Sequence, residues 1–206
     1  FVIFDATLET LSEELQTRAM QLGIFPEDEQ IHYSVLKELW GEDPAEALDE
    51  LEKWDLVENN AEYEMVSLLD LHRDYLRARG KSSLPAWHAV LLRRWKQCSI
   101  GRHTRGYWTS ARLFYHLGHC EGVEDLAPNV KELHLSDPEK SRNENEARAG
   151  SPFPGASSPS LPSLNGLTML QTLTIDSSAL TWLPSLNRMT ALQELNLDGC
   201  AGLPSL

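Results

Sequence analysis

The sequence predicts a mainly α N-terminal part followed by a short α/β solenoid built from parallel strands. Two observations carry this. Residues 10–80 alternate helix-periodic runs with turn signals and contain one hairpin pattern. Near the C-terminus, Leu170, Leu173 and Ile175 return after 22 residues as Leu192, Leu195 and Leu197. Fixed-period self-similarity of that length is the mark of a repeat array.

The elements follow in order. Thr10-x-x-Glu13 has the form of a capping box, and Leu11, Leu15, Met20 and Leu22 continue at helical spacing. Gly23 fits the stop of that helix. Pro26 holds Phe25 extended, so Ile24 to Asp28 must turn. Tyr33 to Trp40 reads as a short helix with Val35, Leu36 and Leu39 inward. Asp43-Pro44-Ala45-Glu46 starts the next helix, which runs to about Trp54. Leu56 to Glu58 and Tyr63 to Val66 read as a hairpin around Asn59-Asn60, and Leu68 to Arg79 is helical up to Gly80. Trp87, Leu91 and Trp95 fall on one face of a further helix.

Three helices and a hairpin in this span make a winged-helix arrangement. In a transcription factor the helix before the wing reads DNA. Here that helix carries Glu46, Asp49, Glu50, Glu52 and Asp55 against Lys53, and the wing adds Glu58, Glu62 and Glu64. Phosphate contact requires the opposite sign. The arrangement therefore reads as a protein-contact module.

Downstream, the second copy of the echo reads L-x-x-L-x-L-x-x-C-x-x-L through Cys200 and Leu203. This is the leucine-rich-repeat template, in which inward side chains of a short strand fill a curved core. Val130, Leu133 and Leu135 offer an earlier copy, and the Ser-, Pro- and Asn-rich stretch 137–163 reads as a disordered insertion. The outward strand positions are Gln171, Thr172, Thr174, Gln193, Glu194 and Asn196, the candidate protein-binding residues. Cys200 reads as a buried structural thiol.

Composition bounds the function. The 206 residues are 41% hydrophobic, enough for a core, and the formal charge of -13 argues against nucleic-acid binding by bulk charge. The charge is uneven: residues 1–64 hold 18 acids and 3 bases, whereas residues 73–112 hold 10 bases and one acid. This reads as two solvated faces or as a basic docking surface for an acidic partner. Three cysteines without tight pairing point to a reducing, cytoplasmic compartment. No apolar run approaches a membrane span, and the first residues lack the basic start of a signal peptide. Phe1 in place of Met makes the chain read as a piece of something longer.

Three further constellations were weighed. Gly80-Lys81-Ser82 is half of a phosphate loop, but the first glycine would fall at Tyr75, inside a helix. Cys98, His103, His116, His119 and Cys120 offer soft ligands at no familiar metal spacing, so no metal site is assigned. The tryptophans and arginines of 73–112 are the one place where nucleic-acid stacking keeps an argument.

Leu22 to Arg79, with Phe25-Pro26-Glu27-Asp28 near its start and Asp70-Leu71-His72-Arg73-Asp74-Tyr75-Leu76 at its end, resembles the winged-helix domain of NB-ARC switch ATPases. These include the apoptotic protease-activating factor and plant-type immune receptors with leucine-rich repeats. His88 to Leu126, with Gly106-Tyr107-Trp108 and Tyr115-His116-Leu117, is similar to the helical domain of the apoptotic branch. The resemblance implies four parts: 1–11 as the end of a preceding helical domain, 12–80 as winged helix, 81–127 as helical domain and 128–206 as repeats. It implies an ADP/ATP switch in a nucleotide-binding domain that would lie upstream and touch this chain. It also implies a protein ligand on the repeats and no catalysis within the chain itself. In the family a Met-His-Asp motif opens the last winged-helix element, and its His contacts the β-phosphate of ADP. The matching positions are Leu68, Leu69 and Asp70. Leu69 cannot donate a hydrogen bond, which leaves Asp70 as the cofactor-side candidate. The rival expectation is a stand-alone repeat adaptor with a degenerate winged helix; nucleic-acid binding through 73–112 comes third.

Overall fold

A computed structural model describes residues 2–96, 99–100, 108, 110–120, 127–136, 164–177 and 180–204. The expected insertion 137–163 lies outside the described residues. The chain forms two compact units, residues 1–94 and 95–206. This division differs from the expected boundaries at 80 and 127: it splits the expected helical domain between the units.

The first unit runs α1 (Val2–Thr10), α2 (Glu13–Leu22), β1 (Ile31–His32), α3 (Tyr33–Trp40), α4 (Ala45–Lys53), β2 (Glu58–Asn60), β3 (Met65–Ser67), α5 (Asp70–Gly80) and α6 (Leu84–Arg94). Ser12, not Thr10, caps α2: its Oγ accepts the Leu15 N–H at 3.2 Å. Thr10 ends α1 instead, and its hydroxyl donates back to the Thr7 carbonyl at 2.6 Å. Both hydroxyls offer the same acceptor, and the helicity of Val2 to Thr10 moves the start by two residues.

Gly23 closes α2 in right-handed geometry, with φ -63, so it is not the left-handed stop that its glycine implied. Its reason is close approach: an added Cβ would lie 3.1 Å from both Cγ and the backbone N of Arg77. Arg77 then ties this corner together, donating from Nε to the Gly23 carbonyl at 2.7 Å and from a terminal nitrogen to Phe25 O at 2.8 Å. Helix α3 has the expected bounds and buries Val35, Leu36 and Leu39. Gly41 ends it at φ 84, the left-handed value that favours glycine.

The hairpin differs in register from the expected one. Asn59 and Asn60 are strand residues, and the turn is Ala61 to Glu64, with Glu64 at φ 52. A third strand joins: the sheet order is β1-β3-β2, antiparallel, with Ile31 opposite Val66. Two residues are too few to show period-two alternation, so β1 left no legible pattern. Between helices and sheet, Leu22, Ile24, Phe25, Ile31, Leu36, Leu48, Leu51, Leu56 and Leu76 are almost fully buried. Burying each such side chain contributes about 1.5–3 kcal/mol.

The second unit contains β4 (Ser99–Ile100), α7 (Ser110–Gly118), β5 (Glu132–Ser136), β6 (Thr172–Asp176) and β7 (Glu194–Asn196). The strands form one parallel sheet in chain order, β4-β5-β6-β7. Leu133, Leu173 and Leu195 sit side by side across it. Trp95 stacks on Trp108 with ring centroids 4.2 Å apart, and both are buried. The expected stripe Trp87, Leu91, Trp95 is therefore divided: the first two belong to α6 in the first unit, while Trp95 belongs to the second.

Candidate functional site

The parallel strands of the second unit are successive coils of one backbone pattern. In three places a buried or half-buried residue donates its N–H to the carbonyl three residues earlier: Val130 to Ala127, Leu170 to Leu167 and Leu192 to Met189, each at 3.1 Å. One turn earlier, Leu167 to Leu164 and Met189 to Leu186 repeat it at 3.0 Å. Each coil is then tied to the next by one shared carbonyl. Lys131 O accepts from Gln171 N (2.8 Å) and Thr172 N (3.0 Å), and Gln171 O accepts from Gln193 N (2.8 Å) and Glu194 N (3.0 Å).

Below the sheet, Leu164, Leu167, Leu170, Leu173, Ile175 and Leu180 are fully buried. Cys200 is buried too, and its thiol donates to the Ile175 carbonyl of the preceding coil at 3.2 Å. The thiol has the structural setting that its sequence position implies. Leu195 departs from expectation: it is 42% exposed although it holds the core position of its strand. No further strand among the described residues pairs with the other edge of β7, and a solenoid coil is buried by its neighbours on both sides.

The opposite face is polar and ordered in rows. Glu132, Thr172 and Glu194 are register partners, as are His134, Thr174 and Asn196. Thr172, Thr174, Glu194 and Asn196 thus share one surface, as expected. Gln171 and Gln193 lie one residue before their strands, where their backbones make the coil-to-coil bonds. Glu132 and His134 join the surface without having been singled out. Their signal was present in the alternation around Leu133 and Leu135. A second overlooked signal is Leu161-Pro162-Ser163-Leu164-Asn165, which returns as Leu183-Pro184-Ser185-Leu186-Asn187 after 22 residues, and in part as Leu203-Pro204-Ser205-Leu206.

In the first unit, Asp70 opens α5 and Leu69 precedes it in extended geometry, 53% exposed. The Asp70 carboxylate accepts from Arg73 at 3.1 Å. Arg73 is buried, and it also reaches Glu27 and Asp74, each at 3.2 Å. Three carboxylates on one buried guanidinium fix the start of α5 against the turn at Glu27, and the Asp70 contact is part of that structural pairing.

The basic stretch 73–112 is likewise spent partly on structure. Arg73 and Arg77 hold α5 in the ways described, Arg79 lies 3.5 Å from Asp5, and Arg94 donates to Leu39 O at 2.9 Å. Of the Cys/His set, Cys98 and His103 lie outside the described residues. Cys120 donates to His116 O at 3.2 Å, and the His119 ring is 2.7 Å from Tyr115 O. Among the described residues no group of three His, Cys, Asp or Glu is placed to hold a metal ion. Nor is any described helix long and apolar enough to cross a membrane. Set against protein-family models and curated proteins, the chain matches none.

Proposed function

We propose that this chain is the regulatory and sensor part of a cytoplasmic NB-ARC-type signalling receptor. Its first unit would be a winged helix that couples to an upstream ADP/ATP switch. Its second would be the first coils of a leucine-rich-repeat domain that binds a protein ligand. The observation that carries the reading is the combination of the two units in this order. The first has the order helix, strand, helix, helix and hairpin, with the early strand against the returning hairpin strand. The second has parallel coils, a leucine core and a polar strand face. A row of Thr, Asn, Glu and His side chains on a rigid sheet offers hydrogen-bond donors and acceptors with little ordering cost, which suits recognition of another protein's surface.

One observation favours the rival reading, a repeat adaptor with a degenerate winged helix. Leu69 stands where the family has its nucleotide-sensing His, and Asp70 is engaged by Arg73. The two readings part at the gene. Coding sequence upstream of Phe1 that encodes G-x-x-x-x-G-K-[ST] between a strand and a helix supports the receptor. An in-frame stop codon directly upstream removes it. For the repeat face, replacing Glu194 and Asn196 with alanine leaves unfolding unchanged while weakening the ligand. A cooperative loss of the fold would show that these side chains are not surface residues.

A further inference from the structure

Helix α4 is flanked by two open clefts, each of about 660 Å³, and they differ in one respect. The cleft toward α2 is acidic but carries its own cations. Arg18 bridges Glu14 and Glu42, and Lys53 meets Glu50 at 2.9 Å. The cleft toward the hairpin contains Glu52, Asp55 and Glu58 and no lysine or arginine. Glu52 accepts only a backbone N–H, from Asn59 at 3.1 Å, and Glu58 accepts the Ser67 hydroxyl at 3.1 Å. Among the described residues no cation pairs with any of the three. On its rim the Tyr63 ring is 65% exposed.

We propose that this hairpin-side cleft is the docking site for an arginine-rich segment of a partner protein. Uncompensated carboxylates repel one another, and a cation entering between them relieves that repulsion while gaining its own attraction. A point-like divalent ion does not fit, because the carboxylates are spread along the cleft and no three groups converge on one position. Guanidinium groups spaced along a peptide do fit. Each presents a planar fork to a carboxylate, and one can stack on the exposed Tyr63 ring. The neutralised cleft on the other flank of the same helix shows that the imbalance is local and not the general acidity of the unit. The site is separate from the repeat face and does not rest on the receptor reading.

The test titrates the full chain into a fluorescein-labelled peptide of alternating arginine and glycine, read by anisotropy at low ionic strength. The lysine–glycine peptide runs in parallel. The double variant D55N/E58Q removes two charges from the cleft. Asn tolerates the φ of 54 found at Asp55, and Gln keeps an acceptor for Ser67. Binding of the arginine peptide should weaken about tenfold. The control variant E14Q/E42Q removes the same charge from the other flank and should change binding less than about twofold. Tyr63→Ala should weaken the arginine peptide more than the lysine peptide. Equal losses in the two double variants, or no anisotropy change with the unaltered chain, overturn the proposal.

Discussion

Leu173 and Leu195 occupy the same position in adjoining coils, yet one is fully buried and the other 42% exposed. Truncating each to alanine measures how far the solenoid core extends. The substitution removes three carbon groups, at about 0.8 kcal/mol each when fully buried. At Leu173 the loss also leaves a cavity between β5 and β7, which raises the expected cost to about 3–4 kcal/mol. At Leu195 roughly half of the side chain still contacts water, and solvent fills the gap. The expected cost there is about 1 kcal/mol. Urea unfolding of the full chain, followed by far-UV circular dichroism and tryptophan fluorescence, gives both values from one set of curves. The readout is the transition of the second unit, since the substituted residues touch only that unit. Equal costs for the two variants would refute the reasoning, because they would mean that the outer side of β7 is as well covered as its inner side.

Three further outcomes follow from named contacts. Ser12→Ala should destabilise the first unit by about 1 kcal/mol through loss of the α2 cap, with Thr10→Ala near neutral, as thermal unfolding will show. Gly23→Ala, at a φ that alanine accepts readily, would ordinarily stabilise. Here its Cβ meets Arg77 at 3.1 Å, so a loss of about 1–2 kcal/mol is expected in urea unfolding. Tyr75 is buried and donates to Asp5 at 2.9 Å, and burial together with that carboxylate pushes its pKa up from 10.0 to about 12. Its neutral form is the one the fold prefers. Stability from this group is therefore constant below about pH 10 and falls as pH rises from 10 to 12, a dependence that Tyr75→Phe should remove.

The leucine echo was legible because each coil buries the same positions, and that demand acts on sequence directly. Helix α3 was legible for the same reason, since Val35, Leu36 and Leu39 all face the core. The choice between Thr10 and Ser12 as cap was not, because both hydroxyls satisfy the same backbone donors and the decision lies with the helix before them. Asn59 misled for a comparable reason. An Asn pair has turn chemistry, but here the Asn59 side chain donates to Asp49 at 3.0 Å and accepts from the Tyr33 hydroxyl at 2.5 Å. Tertiary partners thus hold it in the strand.

The candidate protein-binding face divides in the same way. Period-two alternation placed Thr172, Thr174, Glu194 and Asn196 outward, since a strand must send neighbours to opposite faces. Which of these side chains become neighbours, and that Glu132 and His134 join their rows, depends on register between strands up to 40 residues apart, Glu132 to Thr172.

By itself, then, the sequence determined the periodic elements, the leucine core and the uneven distribution of charge, all of which are local or repeat at fixed spacing. Only the tertiary structure decided what the charges do. Arg73 and Arg77 are drawn inward to hold α5, Arg18 and Lys53 neutralise one flank of α4, and the other flank is left with carboxylates alone. Charge acts through distance in space, and distance between residues remote in the chain is fixed by packing, not by spacing along the sequence.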